Sequence, residues 1–164
     1  MIEISLDNLI NGSRIHIAGS KSVANRLLIL QALSLGQINL SNLPDCDDTL
    51  ILKNILSNLN ENINVGHAGT CMRFLTAYLA IQDSKYNISG SDRMHQRPIK
   101  VLVDSLKSIG ATINYMGQEG FPPLEIYGKT LTGGTVSIDG GVSSQYISAL
   151  LLIAPFLKNG IEIK

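Results

Sequence analysis

The sequence carries little charge and no excess of either sign: 13 Lys+Arg balance 13 Asp+Glu, and charged residues fill 16% of the 164 positions. A balanced chain has no general attraction for nucleic acid or for an anionic membrane surface, so neither is expected as a partner. Long apolar runs are also missing. The longest candidate, residues 147–157, falls well short of the roughly 20 residues a bilayer-spanning helix needs, and Ser148 and Pro155 interrupt it. The N-terminus shows no basic start ahead of an apolar run, so no signal peptide is read there and a cytoplasmic location is expected. Cysteine is scarce. Cys46 and Cys71 form no CxxC or CxxH spacing and are read as free thiols. His16, His67 and His95 share no ligand spacing, so no metal site is expected. What the chain has instead is apolar residues, at 45%. That excludes a disordered segment and suffices for one domain of ordinary size or two small ones.

The order of elements follows from periodicity. Ile2–Leu6 and Arg14–Ile17 alternate apolar and polar residues around an Asn11-Gly12 turn, which predicts a hairpin. A small polar loop, residues 18–22, leads into a helix over 23–35 with Gly36 at its C-cap. A short strand is expected over 38–40, then a helix over 45–59 capped by Asp47 or Asp48. The same pattern predicts strands over 63–65, 86–89, 112–116, 124–127, 136–138 and 161–163. Helices are expected over 71–81, from Pro98 to Ile109 with Gly110 ending it, and over 145–157. One unit therefore recurs: short strand, small-residue loop, apolar helix. At an offset of 121, Ile15, Ile17, Gly19 and Ser22 fall on Val136, Ile138, Gly140 and Ser143, which favours an internal duplication. The helices are apolar nearly all round, as in LLILQALSL and YISALLLIAPFL, so they are expected inside with strands covering them.

The helix entries carry the chemistry. The first turn of a helix presents unpaired N–H groups at the positive end of its dipole. Small residues there let an anion approach closely, and Ser, Lys and Arg add donors and charge. Gly19-Ser20-Lys21-Ser22 precedes the first helix with Arg26 one turn in; Gly69-Thr70 precedes the third with Arg73 behind it; Arg97-Pro98 opens the fourth and Ser143-Ser144-Gln145 the fifth. Taken singly, each has a plain structural reading. Ser143 or Ser144 is a cap, Gly69 serves a tight turn, Arg73 pairs with a carboxylate or a helix end, and Arg93, His95 and His67 are solvated loop residues. Lys21 is harder to place this way, because a cation at a helix start opposes the dipole. A bound anion supplies the reason.

These segments resemble the 5-enolpyruvylshikimate-3-phosphate synthase family. Residues 19–26 (GSKSVANR) are similar to its GSKSxxNR signature, and residues 68–73 (AGTCMR) to its NAGTAMR segment. Arg97-Pro98-Ile99 is similar to its RPI helix, and Ser143-Ser144-Gln145-Tyr146 with the following ALL and AP to its SSQF-ALL-AP run. The resemblance implies an α/β (α+β) fold of repeated βαβαββ units of the enolpyruvyl transferase type, with helices buried inside and sheets outside. It implies transfer of the enolpyruvyl group of phosphoenolpyruvate to the 5-hydroxyl of shikimate 3-phosphate by addition–elimination, with no cofactor and no metal. Carried over by motif, Lys21 is the catalytic residue and contacts both substrates. Ser22, Arg26, Ser143, Ser144 and Gln145 are expected to bind shikimate 3-phosphate; Gly69, Arg97 and Gln145 are expected to bind phosphoenolpyruvate.

Two residues depart from that pattern: His67 stands where the family usually has Asn, and Phe74 where it often has Pro. Both flank the expected phosphoenolpyruvate loop. The chain is also shorter than the family norm between its second helix and Gly66. By resemblance, residues 1–13 are a strand segment belonging with a second domain, and residues 14–164 an incomplete shikimate-3-phosphate-side domain. The second domain is then a required partner, and the chain alone is expected to be inactive. The alternatives are UDP-N-acetylglucosamine enolpyruvyl transferase, which normally has a reactive loop Cys, and a non-catalytic anion-binding module on the same fold.

Overall fold

The computed structural model describes Gly12, Arg14 and residues 17–164. The expected hairpin of the first 17 residues, and with it the first strand of the offset-121 repeat, falls outside the described residues. Five α-helices and six strands follow: α1 (Lys21–Leu33), α2 (Asp47–Ser57), β1 (Asn62–Asn64), α3 (Gly69–Ala80), β2 (Lys85–Ser89), α4 (Lys100–Ser108), β3 (Thr112–Tyr115), β4 (Leu124–Tyr127), β5 (Gly134–Val136), α5 (Ser144–Ile153) and β6 (Ile161–Ile163). Short 3₁₀ turns occupy Met94–Gln96 and Ala154–Phe156.

From β1 to β4 the order is βαβαββ, the expected unit, complete once. Its sheet runs β1-β2-β4-β3, with β1 parallel to β2 and the other two pairings antiparallel. Ile63, Ile88, Ile113, Leu124 and Ile126 point inward and are buried, while Asn62, Asn64, Thr112 and Asn114 face out, the period-2 pattern of a sheet with one wet side. A second, parallel pair, β5–β6, brackets α5, and the Ile138 N–H extends its ladder by donating to the Lys164 carbonyl at 2.9 Å.

The helix at the centre is α3. Its residues are all buried except Arg73, and it packs on α1, α2, α4, α5 and the sheet. A polar group survives there only if bonded: the Thr76 hydroxyl donates to the Met72 carbonyl at 2.7 Å. The expectation that the other apolar helices are equally enclosed is only partly met. α1 and α5 leave Val23 and Leu151 more than half exposed.

Other departures have local causes. The strand expected over 38–40 does not form. The Ile38 carbonyl is taken by the Gln31 side-chain amide at 2.6 Å, and left-handed residues at Leu35, Gly36 and Asn42 turn the chain on both sides. Ser34 is the C-cap of α1, and Leu35 and Gly36 are both left-handed after it, with the Gly36 N–H closing the motif onto the Gln31 carbonyl at 2.9 Å. Neither Asp47 nor Asp48 caps α2; Cys46 is its N-cap and both acids lie in its first turn. Pro98 stands before α4 rather than in it, and α5 gives way to a 3₁₀ turn where Pro155 cannot donate. Strand β5 begins two residues earlier than the alternation suggested.

Candidate functional site

The starts of four helices meet. Lys21, the first residue of α1, places its Nζ 3.5 Å from Asp48 in the first turn of α2. The Asp48 carbonyl accepts from the Cys71 thiol in the first turn of α3 at 3.1 Å. Thr70 of α3 accepts from Gln145 Nε2 in the first turn of α5 at 3.1 Å. Their opposite ends meet as well. One cavity of about 320 Å³ joins Ala32 and Leu35, Ser57 and Tyr78, and another joins Ala32 and Tyr78 to Phe156 beyond α5. The four helices therefore run the same way, and their dipoles present four partly positive ends to one region.

Each entry is built differently. Ser20 caps α1, accepting from the Val23 N–H at 3.4 Å, and Ser143 caps α5, accepting from the Gln145 N–H at 3.3 Å. Ser143 thus acts as a cap while standing at the site, and Ser144 is exposed beside it. α3 begins at Gly69, not at Cys71. Its first intrahelical bond runs from the Met72 N–H to the Ala68 carbonyl at 3.1 Å, so the N–H groups of Gly69, Thr70 and Cys71 lack intrahelical acceptors.

Gly69 owes its identity to a close approach. A Cβ there would stand 2.6 Å from Cζ of Arg97, whose guanidinium lies on the glycine. Arg97 is held by its neighbours: its N–H donates to the carbonyl of buried Met94 at 3.0 Å, and the Pro98 carbonyl accepts from the Tyr146 hydroxyl at 2.7 Å. The loops on either side are stitched together, with the Ser91 N–H donating to the Gly66 carbonyl at 3.0 Å and Ser91 Oγ 2.8 Å from His67 Nδ1. His67, Ser91, Arg93, Met94 and Arg97 line a cavity of about 340 Å³.

Two further arginines stand one turn inside α1 and α3. Arg26 donates through Nη1 to the Ser22 carbonyl at 2.7 Å and to Ser22 Oγ at 2.5 Å, and through Nη2 to Ser148 Oγ of α5 at 2.8 Å. Arg73 donates to the Gly69 carbonyl at 2.9 Å, lies 5.5 Å from the Tyr146 ring centre, and keeps a buried Nε with no partner. Partial burial, and then the like charges of Arg73 and Arg93, press the Arg97 guanidinium below its ordinary pKa. Among the described residues, every ion pair involves a lysine and none an arginine.

Lys21, Ser22, Arg26, Gly69, Arg97, Ser143, Ser144 and Gln145 are thus collected at one end of the helices rather than scattered. Sequence reasoning missed the contacts that tie them together, made by Asp48, Thr70, Ser148 and the Tyr146 hydroxyl. Asp48 also changes the argument about Lys21, since its carboxylate offsets part of the cost of a cation at a helix start. Neither cysteine is in a disulfide, and burial with the nearby Asp48 pushes the Cys71 thiol up to about 12, leaving it protonated at neutral pH. Among the described residues no group of three His, Cys, Asp or Glu could hold a metal, and no helix is long and apolar enough to cross a membrane.

A family model described as EPSP synthase (3-phosphoshikimate 1-carboxyvinyltransferase) matches residues 10–65 and 55–164, two segments that overlap where α2 leads into β1. A 3-phosphoshikimate 1-carboxyvinyltransferase of Bacteroides fragilis is 53% identical over 150 residues, covering 92% of this chain and 37% of the relative. One from Photobacterium damsela subsp. piscicida is 40% identical over 182 aligned residues, covering 95% of this chain and 42% of the relative. The alignment is longer than the chain itself, so that relative carries inserted residues. A solved EPSP synthase from Acinetobacter baumannii superposes with a TM-score of 0.75 at 21% identity, over 87% of this chain and 38% of that one, a likeness of fold. The chain thus spans about two fifths of the length of the relatives it matches.

Proposed function

The chain belongs to the EPSP synthase family, and from that premise we propose that it supplies one side of a site that moves the enolpyruvyl group of phosphoenolpyruvate onto the 5-hydroxyl of shikimate 3-phosphate. The observation that carries this reading is the gathering of four arginines without carboxylate partners among the described residues, at four aligned helix starts. Both substrates are anions. Bringing them together requires fixed positive charge to offset their repulsion, and holding them side by side supplies the proximity term.

In this reading the phosphoenolpyruvate side is Arg97 with the Gly69 N–H, a guanidinium lying over the open start of α3. Arg26 and Ser22 hold the shikimate carboxylate side, Ser143 and Ser144 hold the 3-phosphate, and Gln145, hydrogen-bonded to Thr70, reaches both ligands. Lys21 lies between them as the catalytic cation. The 5-hydroxyl oxygen gives up its proton and adds to C2 of phosphoenolpyruvate as a proton reaches C3. The resulting ketal then expels phosphate and gives up a C3 proton to restore the double bond. Residues 14–164 form the shikimate-3-phosphate side, residues 1–13 belong with a second domain, and that domain faces the helix starts and completes the site. The reaction is cytoplasmic and needs no cofactor.

Calorimetric titration of the purified chain tests the reading. Shikimate 3-phosphate is expected to bind, while UDP-N-acetylglucosamine and a short RNA give no heat. Phosphate release from both substrates is expected only when the C-terminal portion of the Bacteroides fragilis relative is added. Binding of UDP-N-acetylglucosamine in place of shikimate 3-phosphate, or phosphate release by the chain alone, overturns it.

A further inference from the structure

We propose that Phe74 is a positioning residue for Arg26, and that through it Phe74 governs the shikimate side of the site rather than the phosphoenolpyruvate loop it adjoins in sequence. The proposal rests on the reading above, in which Arg26 holds the shikimate carboxylate.

Arg26 is fixed from several directions. Its Nη1 bonds back to Ser22 on its own helix, its Nη2 crosses to Ser148 on α5, and its Cζ lies 5.3 Å from the centre of the Phe74 ring on α3. Ser148 is itself oriented, donating its hydroxyl to the Ser144 carbonyl at 2.9 Å, so its lone pairs are free for the guanidinium. The Phe74 ring cannot drift, because it is only 1% exposed in the most buried helix of the molecule. A cation within about 6 Å of a ring centre is attracted by the ring's negative face. None of Arg26's partners is a carboxylate, so its charge is steered without being neutralised. That is the state a carboxylate ligand needs to find: a guanidinium with its rotamers already restricted and its charge unspent. Proline, which the family pattern often has here, offers no ring face.

A merely structural phenylalanine and a guanidinium clamp respond differently to fluorination, which weakens the ring's negative face while nearly preserving its shape. Position 74 is therefore filled in the full chain with 4-fluoro-, 3,5-difluoro- and pentafluorophenylalanine. Shikimate 3-phosphate and phosphoenolpyruvate are titrated calorimetrically, and the Arg26 Nε–Hε resonance, assigned by its loss in Arg26→Lys, is followed by NMR. The Kd for shikimate 3-phosphate is expected to rise stepwise, by about threefold to tenfold in total, with phosphoenolpyruvate unaffected. In Phe74→Leu the Arg26 resonance loses its ring-current shift. A flat series for shikimate 3-phosphate, or a change confined to phosphoenolpyruvate, overturns the proposal. If the native chain binds neither ligand, the functional reading fails. The resonance then decides the clamp alone: movement along the series upholds it and a fixed signal overturns it.

Discussion

The outer sheet and α4 pair their cations with carboxylates, whereas at the helix starts Lys21 alone is paired so, with Asp48, and the arginines are not. On the outside, lysines close on carboxylates: Lys85 on Glu125 at 2.8 Å, Lys100 on Asp104 at 3.5 Å and on Glu119 at 2.5 Å, and Lys164 on Glu162 at 3.4 Å. At the helix starts, Arg26, Arg73 and Arg97 meet hydroxyls, carbonyls, aromatic rings and one another. Exposed ion pairs add little to stability but cost little either. Crowded guanidiniums cost stability where, as at Arg97, the Asp48 charge offsets only part of burial and repulsion, and helix dipoles pointing the same way add to that cost. The difference separates an end whose charges are paired off from the end that the proposed reading gives to anionic ligands.

The comparison breaks most sharply at Gly69. Gly69→Ala replaces a poor helix former with the best one, worth about 0.8–1 kcal/mol in a helix interior, yet its Cβ expels the Arg97 guanidinium and screens the Gly69 N–H. Two charge-assisted contacts at about 1.5–3 kcal/mol each are then lost, so phosphoenolpyruvate binding is expected to weaken by roughly a hundredfold or more. The melting temperature should hold or rise. A variant that melts earlier while keeping its affinity would mean that Gly69 serves the fold.

A middle-sized effect is expected where fold and site share a bond. Tyr146→Phe removes the hydroxyl that donates to the Pro98 carbonyl. With Tyr146 buried, the loss is about 0.5–1.5 kcal/mol of stability, measured by denaturant unfolding. Because this bond ties the Arg97 segment to α5, phosphoenolpyruvate affinity should fall with it, whereas shikimate 3-phosphate affinity should not.

The smallest effect is expected on the outer face. Glu119 is held below the usual carboxylate range by the Lys100 hydrogen bond and charge, and Lys100 is raised chiefly by its bond to Glu119. A depressed carboxylate stabilises the fold above its unfolded pKa, and the contribution is lost as pH falls through the folded value. A raised lysine contributes below its unfolded pKa and loses this as pH rises through the folded one. The pair therefore acts across the neutral range and fades at both extremes. Full exposure leaves it screened, so Glu119→Gln should shift the melting temperature barely at all, less still in high salt, and leave ligand binding untouched. A large shift would erase the contrast between the two regions.

Most of the helices and the βαβαββ order were legible in the chain because apolar periodicity and helix-start chemistry are local. α3 was read within two residues of its bounds, and Gly110 does end α4, with a left-handed φ of 104°. Failures came where one segment answered to another. Ile38–Leu40 has strand composition, but Gln31 takes the carbonyl a partner strand would need. Asp48 was read only as a helix cap, yet its carboxylate stands beside Lys21 on another helix. Phe74 was read only beside the expected phosphoenolpyruvate loop, and its packing against Arg26 of another helix was not visible in the sequence.

The residues themselves determined where each helix begins to within two residues, and which loops carry hydroxyls and positive charge. Those are properties of a few consecutive side chains and their backbone. Packing alone decided that four helix starts lie together, that Arg97 rests on Gly69, and that Arg26 is gripped between Ser148 and Phe74. These contacts join positions tens of residues apart, and their geometry exists only once burial of the apolar faces has brought the helices side by side.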